Sequence, residues 1–197
     1  MRCLRLCLFA VVCVAFFSSV SAQNSIAGSI RNTFTNVKDG NENPDIAFSI
    51  AHSFEKSKWS VAGYCDMFKN WGEVYVGPRY APNSWLTVSA YAGLENWENW
   101  WRVAGDINIA YKAINFYNVY EYGASKADND YWFSDLTYAL NSAIKVEAKA
   151  YNIGPVYKTG GGVIVAIPKT PLSISPIVLY NFDTKKVEEE AMLYFAF

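Results

Sequence analysis

Hydrophobic and polar positions alternate along most of the chain with a period of two residues. In the segment 144–151 the even-numbered positions are Ile, Val, Ala and Ala, whereas the odd-numbered positions are Lys, Glu, Lys and Tyr. The segment 46–54 repeats this alternation, with Ile, Phe, Ile, His and Phe in one row and only Ala and Ser in the other. A period of two is typical of a β-strand with one face in an apolar medium. Twelve such segments, each of about ten residues, follow residue 25, so we predict an all-β fold.

The connections between these segments predict how the strands are arranged. Every second connection is short, with two to four residues: 55–58, 82–83, 112–113, 141–142 and 169–170. The others are longer on average, apart from 153–154; they are 37–44, 69–72, 95–100, 123–130 and 183–186. An even number of strands with alternating short and longer connections is typical of a transmembrane antiparallel up-and-down β-barrel. We therefore predict a closed barrel of twelve strands, with ten as the alternative, and with the N- and C-termini in the periplasm.

The last predicted strand, Val187–Phe197, has an apolar row that ends in Leu193, Phe195 and Phe197. A strand that closes a barrel against the first strand has to stay ordered to its end. This ending resembles the C-terminal aromatic signal of Gram-negative outer-membrane β-barrel proteins. In that family the barrel-assembly machinery reads the signal, so the resemblance implies the cell outer membrane as the location, and outer-membrane lipid and that machinery as partners. The alternative is a soluble secreted β-barrel or sandwich that binds a ligand, since an edge strand of a soluble sheet can have the same pattern.

The first 22 residues are predicted to be a cleaved signal peptide. Arg2 and Arg5 flank the start of the chain, an apolar run follows at 6–17, and a run of small residues ends at Ala22. The apolar run is too short to span a membrane as a helix. We therefore expect Sec-type export and a single β-barrel domain at 23–197. Three of the four cysteines lie in the leader, which leaves Cys65 in the mature chain and gives no intrachain disulfide.

Composition and charge narrow the choice of partners. The chain has a formal charge of −1, and removal of the basic leader makes it more acidic, which argues against a nucleic-acid partner. Aromatic residues make up 17% of the chain, and all seven tryptophans fall in or near a predicted connection, as expected for the two membrane interfaces. Glu189 interrupts the apolar row of the last strand. We place it near the outer rim of the barrel, where a charge costs little.

The polar row of each strand should face the barrel interior, and its charged and aromatic side chains are the candidate lumen or pore residues. These candidates are Arg31, Glu73, Tyr75, Arg79, Arg102, Asp106, Glu121, Asp135, Lys145, Glu147, Lys149, Lys158, Glu188 and Glu190. Because both signs of charge are present, they predict no strong preference for anions or cations. Twelve strands enclose more space than a filled eight-stranded barrel and less than a sixteen-stranded porin, so a narrow pore is favoured.

One predicted turn suggests a specific hypothesis. If the turn lies at 153–154, Lys149 faces Lys158, and nearby glycines leave space for an anion between the two ammonium groups. The alternative is that both lysines pair with acids of other strands. Such pairing is common because a barrel interior must neutralise its own charges.

Two further ion pairs are predicted from the order of the strands. The turn at 112–113 brings Arg102 near Glu121. At the seam between the last and first strands, Arg31 is expected to meet Glu188 or Glu190.

Enzymatic chemistry is not supported by the residues. His52 is the single histidine, it lies in an apolar row, and no acid partner for it is evident, so we predict no catalytic residue. The acidic loop Asp128–Asp130 is interpreted as solvated, and we predict neither a metal site nor a cofactor. The function predicted is a narrow, porin-like passive channel for small solutes, and the alternative is a closed structural or adhesive barrel without transport.

Overall fold

A computed structural model describes residues 23–34, 45–68, 71–96, 101–123 and 130–196 of the chain. These residues form one closed barrel of twelve antiparallel strands, so the predicted fold class and strand number are confirmed. The strands are β1 (Gln23–Phe34), β2 (Asp45–Ser53), β3 (Trp59–Phe68), β4 (Trp71–Asn83), β5 (Leu86–Glu95), β6 (Arg102–Tyr111), β7 (Ile114–Gly123), β8 (Tyr131–Ala139), β9 (Ile144–Ile153), β10 (Val156–Ala166), β11 (Leu172–Asn181) and β12 (Lys186–Ala196). The described residues contain no helix that is long and apolar enough to span a membrane. The predicted signal peptide, 1–22, and Phe197 lie outside the described residues.

Every strand pairs with its neighbours in sequence, and β1 closes the barrel against β12. At this seam Ala27 lies opposite Ala196, and Phe34 lies opposite Glu189. On its other side β1 pairs with β2 along 23–31. Closure gives every strand a hydrogen-bonded neighbour on both sides and leaves no free sheet edge, as a lipid environment requires because hydrocarbon offers no hydrogen bonds.

The two ends of the barrel carry different connections. We call the end that holds the first residue of β1 and the last residues of β12 the near end, and the opposite end the far end. Connections at the near end have two to five residues, whereas those at the far end have two to ten. This agrees with the alternation of short and longer connections in the sequence.

Two predicted turns are misplaced. β4 continues through a β-bulge between Tyr80 and Asn83, so its turn is 84–85 and not 82–83. The Asn83 side-chain oxygen accepts hydrogen bonds from the backbone N–H groups of Trp85 and Leu86, at 3.1 and 2.9 Å, and this stabilises the later turn. The turn between β9 and β10 is 154–155 and not 153–154, with Gly154 at a φ of 56°, which glycine adopts without strain.

Burial alternates along the strands between an outer and an inner face. In β11, Ile174 and Val178 are 47% and 54% exposed on the outside. Between and beside them, Ser175, Ile177 and Leu179 are at most 1% exposed, because they point into the barrel. Exposed Val, Ile, Leu, Phe and Tyr side chains recur in this way on strand after strand. An apolar outer surface of this extent marks contact with an apolar phase.

Two polar features of the outer face have a structural explanation. Asn118 interrupts the apolar row of β7, and its side-chain nitrogen donates to Ser134 Oγ at 2.5 Å and to the Phe133 carbonyl at 3.2 Å. These bonds across β7 and β8 satisfy polar groups that lipid would leave unsatisfied. Glu189 is exposed on the outer row, in the first half of β12 next to the far end, as its predicted rim position requires.

Tryptophan side chains lie at the ends of strands, as the interface prediction requires. Near-end positions are Trp59 and Trp85, and outward far-end positions are Trp101 and Trp132. Trp71 differs, because it lies on the inward row of β4 and its indole N–H donates to Glu95 Oε2 at 3.3 Å. Trp97 and Trp100 lie outside the described residues.

Neighbouring strands approach each other closely at two glycines on opposite sides of the barrel. A Cβ atom on Gly77 of β4 would lie 1.9 Å from the Ala90 carbonyl oxygen, and one on Gly160 of β10 would lie 1.9 Å from that of Val178. Both distances are far inside van der Waals contact, so only glycine fits without a backbone shift. β4 and β10 are six strands apart in a barrel of twelve, so the two close approaches face each other across the interior.

Candidate functional site: the barrel interior

The inward rows bring most of the candidate lumen residues into hydrogen-bonded or ion-paired groups. Lys145 is an exception with an exposed side chain close to the near end of β9. The backbone of Arg31 lies opposite Met192 on one side and Asp45 on the other. Its side chain lies outside the described atoms, so its meeting with Glu188 or Glu190 stays a prediction.

Two buried acids of the inward rows lie outside the predicted set. Asp45 is 8% exposed and Glu95 is 7% exposed. Each is the terminal residue of its strand at the far end. The alternation of the sequence does indicate Glu95, because this residue continues the inward row of Tyr91 and Gly93 by one step. Residue 95 is predicted to begin a connection, which leaves Glu95 out of the predicted inward row.

Arg102 is the centre of the first group, which we call the Arg102 network. Its members are Tyr64, Glu73, Tyr75, Glu95, Arg102 and Glu121. Arg102 begins β6 at the far end and is 4% exposed. Its guanidinium nitrogens lie 3.0 Å from Glu95, 3.4 Å from Glu73 and 3.5 Å from Glu121. The predicted proximity of Arg102 and Glu121 is confirmed. The Arg102 guanidinium group faces the carboxylates of three glutamates.

Two tyrosines of this network form hydrogen bonds to residues of strands that are not their neighbours. The Tyr75 hydroxyl lies 3.0 Å from Glu73 and 3.1 Å from Glu121, and it accepts a hydrogen bond from Arg102 Nε at 2.8 Å. Tyr64 stacks on Tyr75 with 4.4 Å between ring centroids, and its hydroxyl donates to Glu121 at 2.5 Å. Tyr64 belongs to β3 and Glu121 to β7, so this bond crosses over three intervening strands.

A second group links Arg79 to Asp106 through Tyr91. Arg79 donates to Ser89 Oγ and to the Tyr91 hydroxyl, both at 3.2 Å. The Tyr91 hydroxyl in turn donates to Asp106 at 2.8 Å. The Tyr91 hydroxyl therefore connects the positive Arg79 to the negative Asp106. These residues lie in the middle and near-end parts of β4 to β6.

Lys149 is the centre of a third group, the Lys149 network, formed by Glu147, Lys149, Ser175, Met192 and Tyr194. The Lys149 ammonium lies 3.0 Å from Glu147, and it donates to the Tyr194 hydroxyl at 2.6 Å and to Met192 Sδ at 3.2 Å. Glu147 also accepts a hydrogen bond from Ser175. Lys149 is 4% exposed, so its charge is held inside the barrel by groups from β9 and β12.

The predicted juxtaposition of Lys149 and Lys158 is wrong. Because the turn falls one residue later, the register of β9 and β10 shifts by two, and Lys149 lies opposite Gly160. Lys158 pairs with Glu188 of β12 at 2.6 Å, as the alternative expected. Lys149 instead pairs with Glu147 of its own strand. The two lysines therefore do not form a common anion site.

The wall from β9 to β12 also contains a tightly packed apolar part. Tyr151, Ile177 and Leu179 pack together with exposures of 2%, 1% and 0%. The Tyr151 hydroxyl donates to Glu190 at 2.6 Å, so it spans from β9 to β12 in front of the glycines of β10. One of them, Gly162, leaves space for the side chain of Ile177, whose Cγ1 would lie 3.0 Å from a Cβ at that position.

Comparison with known proteins identifies the architecture. No protein-family model and no curated protein sequence matches the chain. Solved structures do match. The KdgM porin superposes with a TM-score of 0.59 at 11% identity, over 87% of this chain and 99% of that chain. The fold is that of a porin barrel.

Two further structures share this porin fold. One is described as the KdgM porin in complex with disordered oligogalacturonate, with a TM-score of 0.58 at 11% identity over 88% of this chain and 99% of that chain. The other is a triple mutant of the Rhodopseudomonas blastica porin, with a TM-score of 0.54 at 11% identity over 78% of this chain and 55% of that chain. The larger porin thus extends well beyond the matched part.

The Arg102 and Lys149 networks lie on different walls of the barrel. The first extends from β3 to β7 and the second from β9 to β12. Their longest side chains bridge over several strands, so they occupy part of the enclosed space.

Proposed function

We propose that the protein is an outer-membrane channel through which small solutes pass passively along a narrow, charged interior. The observation that carries this proposal is the distribution of polarity in the closed barrel. Val178 and Leu136 are about half exposed on the outside, whereas Arg102, Glu121 and Lys149 are at most 4% exposed inside. Soluble proteins have the opposite arrangement, with charged residues outside. Transmembrane barrels have the arrangement seen in this chain.

The connections support an orientation. In bacterial outer-membrane barrels the periplasmic turns are short and the outer loops are longer. The near end has the shorter connections, so we place it, with both chain termini, in the periplasm. The far end, with the connections 35–44, 96–101 and 124–130, then faces the outside of the cell.

The solute is proposed to be small and not an acidic oligosaccharide. Oligogalacturonate, which is named for one KdgM porin structure, carries a carboxylate on every sugar and needs cationic groups to bind it. Three of the interior cations, Arg102, Lys149 and Lys158, are each paired with carboxylates of the same chain. They are therefore already neutralised and are poorly suited to attract a polyanion.

A closed structural or adhesive barrel is the second candidate. The dense packing of Tyr151, Ile177 and Leu179 favours it, because an interior sealed by such side chains would not conduct. Purified protein in planar lipid bilayers separates the two functions. We expect stepwise current increases as single barrels insert, and the same protein unfolded by heat before addition is the control. Silent bilayers with protein that circular dichroism shows to be folded would contradict the channel and favour the closed barrel.

A further inference from the structure

We propose that solutes cross the barrel through a slot between two filled regions of the interior, along the inward faces of β1 and β2. This inference rests on the proposed channel function, and it adds the route of the solute and the residues that limit its size. Two hydrogen bonds that cross the interior, one on each side of the route, define the slot.

The first filled region lies behind the hydrogen bond from Tyr64 to Glu121. This bond joins β3 to β7, so it closes off the space in front of β4, β5 and β6. Tyr75 and Tyr91 occupy that space from β4 and β5 with exposures of 1% and 5%, and Arg102 occupies it from β6 with an exposure of 4%. Large side chains that are covered to this degree are packed against one another and fill the region.

The second filled region lies behind the hydrogen bond from Tyr151 to Glu190. This bond joins β9 to β12, so it closes off the space in front of β10 and β11. Ile177 and Leu179 of β11 lie in that space and are 1% and 0% exposed. They pack together with Tyr151 as the interior of a soluble protein would, so this region is filled as well.

Three strands lie between the two bonds. They are β1 and β2 on one side of the interior and β8 on the other. In a closed barrel of twelve strands, β2 and β8 are six strands apart and therefore face each other. The slot thus extends across the interior from β2 to β8, and the two filled regions bound its long sides.

The middle of β1 and β2 presents accessible side chains to the slot. These inward side chains, which are all half-buried, are Ala27, Ser29, Ala47 and Ser49. On β2 the accessible pair lies between Asp45 and Ala51, which are buried. Small size does not by itself give this accessibility, because Ala62 on the inward row of β3 is 1% exposed. Inside a closed barrel, an accessible inward side chain faces space that solvent can enter.

The opposite side of the slot carries an acceptor that the chain does not satisfy. Asp135, in the middle of β8, points inward, and its Oδ1 atom has no hydrogen-bond partner among the described residues. Lys149 lies directly opposite on β9, but its ammonium group donates to Tyr194 and Met192. A covered acceptor of this kind is normally satisfied by water. We therefore expect water on the β8 side of the slot as well.

Thiol labelling tests the route. In a Cys65→Ser background, Ser49→Cys places a thiol in the slot, whereas Ser175→Cys places one in the second filled region, where Ser175 is 1% exposed. A trimethylammonium methanethiosulfonate reagent is added to the folded proteins in planar bilayers. We expect modification at position 49 to be at least about tenfold faster, because a buried thiol reacts only when the structure opens locally. The current should be lost at the same rate as the thiol at position 49.

The possible results separate the route from the channel function. Equal rates of modification at positions 49 and 175, or modification at 49 with an unchanged current, would overturn the slot and leave the channel function intact. No current from the folded, unlabelled protein would overturn the channel function and the route together. Ala104→Cys, at a position of the first filled region that is 8% exposed, is a second buried control should Ser175→Cys not fold.

A matched pair of larger side chains gives an independent test. Ala47→Phe places a ring in the slot, whereas Ala148→Phe places the same ring on the exposed outer face of β9. Circular dichroism establishes that both variants are folded. We expect smaller current steps from Ala47→Phe and unchanged steps from Ala148→Phe. Equal current steps from the two folded variants would overturn the slot.

Discussion

Arg102 should be the charged residue whose loss most destabilises the barrel. We consider Arg102→Met, because methionine is unbranched and retains much of the aliphatic volume of arginine while it removes the charge and every hydrogen-bond donor. Arg102 is 4% exposed, and its guanidinium group is shared by Glu73, Glu95 and Glu121. The substitution would leave three buried carboxylates close together with no guanidinium between them.

The size of the effect can be estimated from this geometry. Removing one partner of a buried ion pair costs about 3–5 kcal/mol, because the other charge stays buried and uncompensated. Three carboxylates and the Tyr75 hydroxyl, 2.8 Å from Arg102 Nε, contact this one side chain, so we expect the upper part of that range. Such a loss is a large fraction of the 5–15 kcal/mol typical of a folded domain, at about 0.05–0.15 kcal/mol per residue.

The assay is guanidinium unfolding of the protein in phospholipid vesicles, followed by tryptophan fluorescence. The free energy of unfolding is obtained for the unmodified chain, for Arg102→Met and for Lys145→Met. Lys145 is the matched control, because its side chain is exposed near the opposite end of the barrel. The double variant Arg102→Met with Glu121→Gln should regain part of the loss, since it removes one of the stranded charges.

A change of less than about 1 kcal/mol for Arg102→Met would contradict the reasoning, because it lies well below the cost of an uncompensated buried charge. The same conclusion would follow if Lys145→Met were equally destabilising. Failure of Glu121→Gln to restore any stability in the double variant would show that packing, and not charge, accounts for the loss.

Three further outcomes are expected from the packing. Gly160→Ala places a Cβ 1.9 Å from a carbonyl oxygen of β11 and should lower the free energy of unfolding by about 1–3 kcal/mol. The control Gly105→Ala, whose nearest contact is at 3.6 Å, should be tolerated. Equal stability of the two variants would contradict the close approach of β10 and β11. Tyr151→Phe removes the 2.6 Å hydrogen bond to Glu190 and should cost about 1–3 kcal/mol in the same unfolding assay, and a neutral result would show that the bond is not formed. Leu136→Arg, at an outer position in the middle of β8, should cost about 2–4 kcal/mol in vesicles, and no cost would place this face in water.

The barrel itself could be predicted from the sequence because its cause is local. The alternation of 144–151 appears in β9 as an inner row of buried Glu147 and Lys149 and an outer row of exposed Val146 and Ala148. Each strand reports its own two faces in this way, independently of its neighbours. Strand number and class therefore follow by counting such segments.

Register could not be predicted with the same accuracy. The turn after β9 is set by the positive φ of Gly154, and a displacement of one residue in the turn moves every cross-strand pair by two. Such a shift keeps each side chain on its face but changes its neighbours. That is why Lys149 faces Gly160 and not Lys158. The β-bulge before Asn83 has the same kind of effect in β4.

Contacts across the interior depend on the curvature of the closed sheet, which no sequence pattern reports. The Tyr64 hydroxyl reaches Glu121 over three intervening strands, and Lys149 reaches Tyr194 from β9 to β12. The pairing of Arg102 with Glu121 could be predicted, since their strands are adjacent. The interior residues were thus largely identifiable from the sequence, but most of their partners were not.

Site-directed nitroxide labelling of β11 in lipid vesicles tests most directly whether the outer face lies in lipid. Single cysteines are introduced in a Cys65→Ser background at Ile174 and Val178, which point outward, and at Ile177 and Leu179, which point inward. We expect high collision rates with oxygen, which concentrates in lipid, and low rates with an aqueous nickel chelate at the two outward positions. The inward positions should be protected from oxygen. Outward labels that collide with the nickel chelate as often as labels in the exposed turns would contradict a membrane-spanning barrel.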